Sequence, residues 1–146
     1  MSALTRCLEE EAAAIAGAAN RLPHDQVEAA LKLLDACSRK RAKLVITGVG
    51  KSGIVARKIA ATFSSIGLMA IYLNPLDALH GDLGVVAKDD LTILLSNSGE
   101  TDELLQILPH LKRRGTPRIA LVGKVKSSLA EACDVVLDAS VDKEVC

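Results

Sequence analysis

Two short stretches of this sequence carry residue types that hold anions: TGVGKSG at 47–53 and SNSGET at 96–101. The first sets Lys51 and Ser52 among Gly48, Gly50 and Gly53, and resembles the phosphate loop of a nucleotide-hydrolysing enzyme. Such a loop needs a glycine, four residues and then Gly-Lys-Ser/Thr, because the leading glycine lets backbone amides wrap a β-phosphate. Counting back from Gly50, that position falls on Val45, inside an apolar run, so the loop is too short to enclose a triphosphate. Nor does an Asp closing a later apolar run clearly offer itself as a magnesium partner. The three glycines do fit the G-x-G-x-x-G spacing of a dinucleotide turn. Against that reading, the acidic residue expected after the second strand is replaced by Asn74, with Asp77 only later.

The second stretch puts the hydroxyls of Ser96, Ser98 and Thr101 around Gly99, at the start of a helical pattern. Hydroxyls and free helix amides together stabilise an anion. Ordinary helix capping accounts for one such cluster equally well. Two of them, with Lys51 between glycines, favour binding of one phosphate together with a polar small molecule.

The elements that must position these turns are legible in the periodicity. Residues 3–20 are rich in Ala, Leu and Glu, and residues 24–38 repeat apolar positions at Val27, Ala30, Leu31 and Leu34, so two helices open the chain. Five apolar runs of strand length follow, at 43–48, 68–73, 90–96, 117–123 and 133–139. Helical stretches are expected at 52–65, 101–114 and 126–132, and a polar loop at 74–89. Near-continuous apolar strands separated by helices predict an α/β fold, a doubly wound parallel sheet covered on both faces. The anion-ready turns then lie at the ends of neighbouring strands, where ligands of such sheets bind.

Composition narrows the function classes. With 146 residues, of which 49% are hydrophobic, the chain has the material for one core. Lys+Arg and Asp+Glu balance at 18 each, so no global field draws in nucleic acid or an anionic membrane. The densest basic cluster, Arg39, Lys40, Arg41 and Lys43, falls where a helix should end and complements its dipole. Phe63 and Tyr72 are the only aromatic residues, so stacking platforms for single strands are missing. Cys7, Cys37, Cys133 and Cys146 share no close spacing, which points to buried or free thiols in a reducing cytosol rather than to zinc or a disulfide framework. Glu9, Glu10 and Glu11 interrupt any apolar leader, and no run is long enough to span a bilayer.

Taken together and in order, GVGKSGIVARKIAATFSSIG, HGDLGVV and LLSNSGETDELLQILPHLKRRG closely resemble the SIS (sugar isomerase) domain of arabinose-5-phosphate isomerases. The resemblance covers essentially the whole chain, as a single domain over 1–146. It implies a five-stranded sheet of flavodoxin-like order, a phosphosugar at the strand ends and interconversion of D-ribulose 5-phosphate and D-arabinose 5-phosphate, feeding 3-deoxy-D-manno-octulosonate synthesis. No cofactor or resident metal is implied. Family members are usually homotetramers with sites shared between subunits, and many carry a CBS pair after the SIS domain.

By the same resemblance, Ser96, Ser98 and Thr101 hold the phosphate with Ser52, on turns shaped by Gly48, Gly50 and Gly99. Lys51 matches the active-site lysine, and its charge suits a developing enediolate oxygen. Glu103 and Glu144 match acidic positions of the active site. Isomerisation moves a proton between C1 and C2, so one carboxylate, Glu144, is expected to shuttle it and Glu103 to position a hydroxyl, with the reverse order open. His80, in DALHGDLG, is placed against the sugar, to bind a hydroxyl, assist ring opening or take up an adventitious metal. The family has a further histidine beyond position 146, so the chain is expected to be truncated at its C-terminal end. A phosphosugar-sensing module and a 6-phospho-3-hexulose isomerase are the competing readings, since both would share the phosphate turn.

Overall fold

The computed structural model describes residues 2–144. Two helices, α1 (Ala3–Arg21) and α2 (His24–Arg39), precede an alternation of strands and helices. That alternation runs β1 (Leu44–Gly48), α3 (Gly50–Ser65), β2 (Ala70–Leu73), α4 (Pro75–Leu79), a 3₁₀ turn (Asp82–Val85), β3 (Leu91–Ser96), α5 (Asp102–Arg114), β4 (Arg118–Val122), α6 (Ser128–Glu131) and β5 (Val135–Asp138). The strands form one parallel sheet in the order β2-β1-β3-β4-β5. This is the doubly wound α/β fold that the sequence predicts.

Every residue of β1 and β3 is buried, as expected of central strands covered on both faces. Alternate side chains serve two cores. Val45, Leu94 and Ala120 meet Leu104, Ile107 and Leu111 of α5 with Leu129 of α6. Ile46, Ile93 and Ile119 meet Ala30 and Cys37 of α2 and Ala56 and Ala60 of α3. The chain leaves β1 for one edge and returns past it to β3, so the turns after β1 and β3 flank the point where winding reverses.

The structure amends the sequence reading in three places. The expected loop at 74–89 contains α4 and the 3₁₀ turn, because Asn74 accepts the Leu76 N–H as N-cap, Pro75 starts the helix, and Ala78, Leu83 and Val86 reach the core. α3 begins two residues before 52, at Gly50. In α2, Leu31 is 59% exposed whereas Ala30 and Cys37 face the sheet. α1 buries none of its residues.

The basic cluster is neutralised locally: Arg39 pairs with Asp35, Lys40 with Asp89 and Lys43 with the buried Asp90, each at 2.7 Å. Cys7, Cys37 and Cys133 are free thiols, and burial pushes Cys133 up to about 12, so it stays protonated and unreactive. Cys146 lies outside the described residues. Among the described residues no helix is long and apolar enough to cross a membrane.

Candidate functional site

The turn after β1 is built by close approach. A Cβ on Gly48 would stand 2.9 Å from the Ser52 carbonyl, and one on Gly53 would stand 2.7 Å from the Gly48 oxygen. The two glycines therefore let the first turn of α3 lie directly on the strand end, as in nucleotide-binding βα units. Tyr72, on the neighbouring strand, donates its hydroxyl to the Gly48 carbonyl at 2.9 Å and carries the Arg57 guanidinium 4.3 Å above its ring. Gly50 takes a left-handed φ of 59°, which presents Lys51 at the helix start. Val49 provides no side-chain cap, so the first amides of α3 remain available to an anion.

The turn after β3 is built by hydroxyls. Ser96 is 4% exposed; its Oγ accepts the Gly99 N–H at 2.9 Å and lies 2.7 Å from Thr101 Oγ1. Thr101 occupies the N-cap position of α5 but spends its hydroxyl on Ser96, which leaves the first turn of α5 without a side-chain cap. Ser98, exposed, accepts the Glu100 N–H at 3.1 Å.

α6 grips this turn from the other side. Leu129 donates its N–H to the Gly99 carbonyl at 3.0 Å, and the Ser127 side chain occupies the space a Cβ on Gly99 would need. Glu100 accepts the Ser128 N–H at 2.8 Å. That bond, with the Ser128 side chain and Lys124 nearby, holds the Glu100 carboxyl below the usual glutamate range.

Between the two turns lies an open cavity of about 260 Å³. Lys51, Ser52, Ser96 and Asn97 give it polar groups, and Val55, Leu95 and Leu121 give it apolar wall. It lies near the lower end of sizes common for small-ligand sites, about 300–1,000 Å³. A cation, several hydroxyls and uncapped helix amides around a partly apolar wall suit a small, polar, anionic molecule.

Of the site residues read from the sequence, Lys51, Ser52 and Ser96 come together at this cavity, and Thr101 joins through Ser96. Gly48, Gly50 and Gly99 form the turns. Four others do not line it: Ser98 is exposed in the turn after β3, Glu103 is half-buried in the first turn of α5, His80 is exposed at the C-cap of α4, and Glu144 is exposed beyond β5. The sequence reading passes over Asn97 and Gly123. A Cβ on Gly123 would strike the Asn97 amide, and the Gly123 N–H donates to the Asn97 carbonyl at 3.1 Å, so this glycine leaves room for a polar side chain on the cavity wall. A glycine directly after an apolar strand is the available signal. Among the described residues no group of three His, Cys, Asp or Glu side chains is placed to hold a metal.

Residues 38–146 match the SIS domain. The arabinose 5-phosphate isomerase KdsD of Pseudomonas aeruginosa is 46% identical over 106 residues, which cover 73% of this chain and 32% of that protein. The arabinose 5-phosphate isomerase KpsF of Escherichia coli strain CFT073 is 38% identical over all 146 residues, or 44% of its own length. A solved structure from the same strain, in complex with arabinose 5-phosphate, superposes with a TM-score of 0.89 at 41% identity, covering 98% of this chain and 74% of that one. The chain thus spans less than half the length of these two curated relatives. With the family match extending over most of its residues, on a five-stranded sheet of matching fold, the chain belongs to the SIS domain family.

Proposed function

We propose that this chain is the sugar-phosphate site of an aldose–ketose isomerase that interconverts D-ribulose 5-phosphate and D-arabinose 5-phosphate. The observation that carries the reading is one cavity at the switch point bringing Lys51 and Ser52 from the first turn against Ser96 from the second. The phosphate sits on the hydroxyls of Ser52, Ser96, Ser98 and Thr101 and on uncapped amides, a set of neutral donors suited to a dianion. Lys51 then faces the sugar carbon skeleton and stabilises the enediolate oxygen.

In this reading Glu144 carries the proton between C1 and C2, Glu103 positions a hydroxyl, and His80 binds the sugar or assists ring opening. The latter three stand away from the cavity here, and the proposal includes a homotetramer in which neighbouring subunits complete each site. The place of action is the cytosol, and the product is consumed in 3-deoxy-D-manno-octulosonate synthesis.

The test is ribulose 5-phosphate turnover beside calorimetric binding, on the chain alone and on a form extended past residue 146. Binding with turnover supports the isomerase; binding without turnover in either form favours a sensing module. Turnover of hexulose 6-phosphate in preference to the pentulose would favour the hexulose isomerase. Glu144→Gln is expected to lower kcat about 10²- to 10⁴-fold, as for loss of a general base, and Glu103→Gln by less. A Glu144→Gln protein with normal kcat would overturn the assignment of the base.

A further inference from the structure

Past the end of β5 at Asp138 the chain turns to α1, which Ser140, Asp142 and Lys143 contact. Arg21, in the last turn of α1, donates from Nη2 to the Ser140 carbonyl at 2.6 Å, a charged bond to the backbone of a segment 119 positions away. Its Nη1 lies 3.9 Å from the Asp142 carboxylate, and Lys143 Nζ lies 3.8 Å from Glu10 on the same helix. The Lys143 pair is exposed and weak, whereas the Arg21 side chain is 28% exposed and its bond correspondingly shielded. Room for the guanidinium comes from Gly17, one turn earlier, where a Cβ would stand 3.1 Å from Nη1.

The far end of this strap is fixed on the cavity. The Ala139 N–H donates to the Val122 carbonyl at 2.8 Å, extending the sheet by one residue, and Ala139 lines the cavity with Lys51 and Ser96. Ser140 is held in turn by the Asp138 carboxylate, which accepts its N–H at 2.8 Å. The segment therefore starts at the cavity wall, is pinned at Ser140 and carries Glu144 four residues on. Without the pin, the chain after Ala139 would sample many conformers, and a base on it would rarely stand in one place.

We infer that Arg21 is a positioning residue, which straps the segment after β5 to α1 and so sets where the Glu144 carboxylate stands, outside this chain's own cavity, for a site completed by a neighbouring subunit of the proposed assembly. This rests on the reading of Glu144 as the base; Arg21 itself touches no reacting atom. Because α1 buries none of its own residues, the sheet should fold without the strap.

The test uses the intact protein with Arg21→Ala, Arg21→Lys, Glu144→Gln and the Arg21→Ala/Glu144→Gln double substitution. It measures kcat and KM for ribulose 5-phosphate and amide hydrogen exchange over 139–144. Arg21→Ala should lower kcat roughly 10- to 100-fold with KM unchanged, the cost of a misplaced catalytic group, and speed exchange over 139–144 but not in β1 or β3. Arg21→Lys, which keeps one donor, should restore part of both. The double variant should be no slower than Glu144→Gln alone, since both act through one carboxylate. Unchanged exchange in Arg21→Ala would overturn the strap. Faster exchange with unchanged kcat, or losses that multiply in the double variant, would overturn the positioning role. Normal turnover of Glu144→Gln sinks the reading of the base, and with it the catalytic half of this inference, while exchange still decides the strap.

Discussion

Ser96 joins the two halves of the second turn through a single oxygen. Its buried hydroxyl satisfies the Gly99 N–H and meets Thr101, so the group proposed to hold phosphate also shapes the turn that presents it. Ser96→Ala leaves the Gly99 amide without its acceptor, and a loss of about 1–3 kcal/mol in denaturant unfolding is expected. Calorimetry on the same variant should show weaker phosphosugar binding, whereas a variant of exposed Ser98 should lose binding without comparable loss of stability. Lys51 stands in a different position. It has no carboxylate within 4 Å among the described residues, and its charge is therefore free for a ligand. The hydroxyls of 96–101 and the lysine between glycines were readable as anion-binding chemistry. That Ser96 faces the same cavity as Lys51 follows only from the pairing of β1 with β3.

At the scale of elements, α6 braces the turn proposed to hold phosphate although it spans only Ser128–Glu131. Glu100 caps it, and the resulting bond holds the carboxyl below its ordinary range. A folded-state value lower than the unfolded one means that the contribution is present above the unfolded pKa, about 4.3, and is lost as pH falls through the folded one. Thermal unfolding of the wild type and of Glu100→Gln should therefore differ near neutral pH and converge in acid; a gap that persists unchanged in acid would sink the capping role. Periodicity located the strands and the long helices, because burial on a strand or helix face is written into residue spacing. It missed α4, where Asn74-Pro75 is a short start signal without enough turns to show a period. It also passed over Gly123, whose meaning depends on Asn97 across the sheet.

At the scale of the molecule, α1 is the element with the least support from its own chain. Leu4, Leu8 and Ile15 are 70%, 58% and 72% exposed, and Ile54 of α3 is 68% exposed. A soluble monomer rarely shows so many large apolar side chains on its helices, and this surface fits the proposed assembly of several copies. Sedimentation should find an oligomer, and Leu8→Lys with Ile15→Lys should shift it toward the monomer while leaving the sheet folded; a wild-type monomer would remove the assembly from the proposal. The places of the strands along the chain, the parallel winding and the chemistry of the two turns were legible in the sequence itself, since apolar runs, glycine spacing and hydroxyl clusters are local properties, whereas the strand order was implied only by the family resemblance. The tertiary structure alone decided which of those groups share a cavity, that Leu31 faces outward while Ala30 faces the sheet, and that Arg21 reaches Ser140. Those are contacts between residues far apart in the chain, set by sheet register and helix rotation, and no spacing within one segment encodes them.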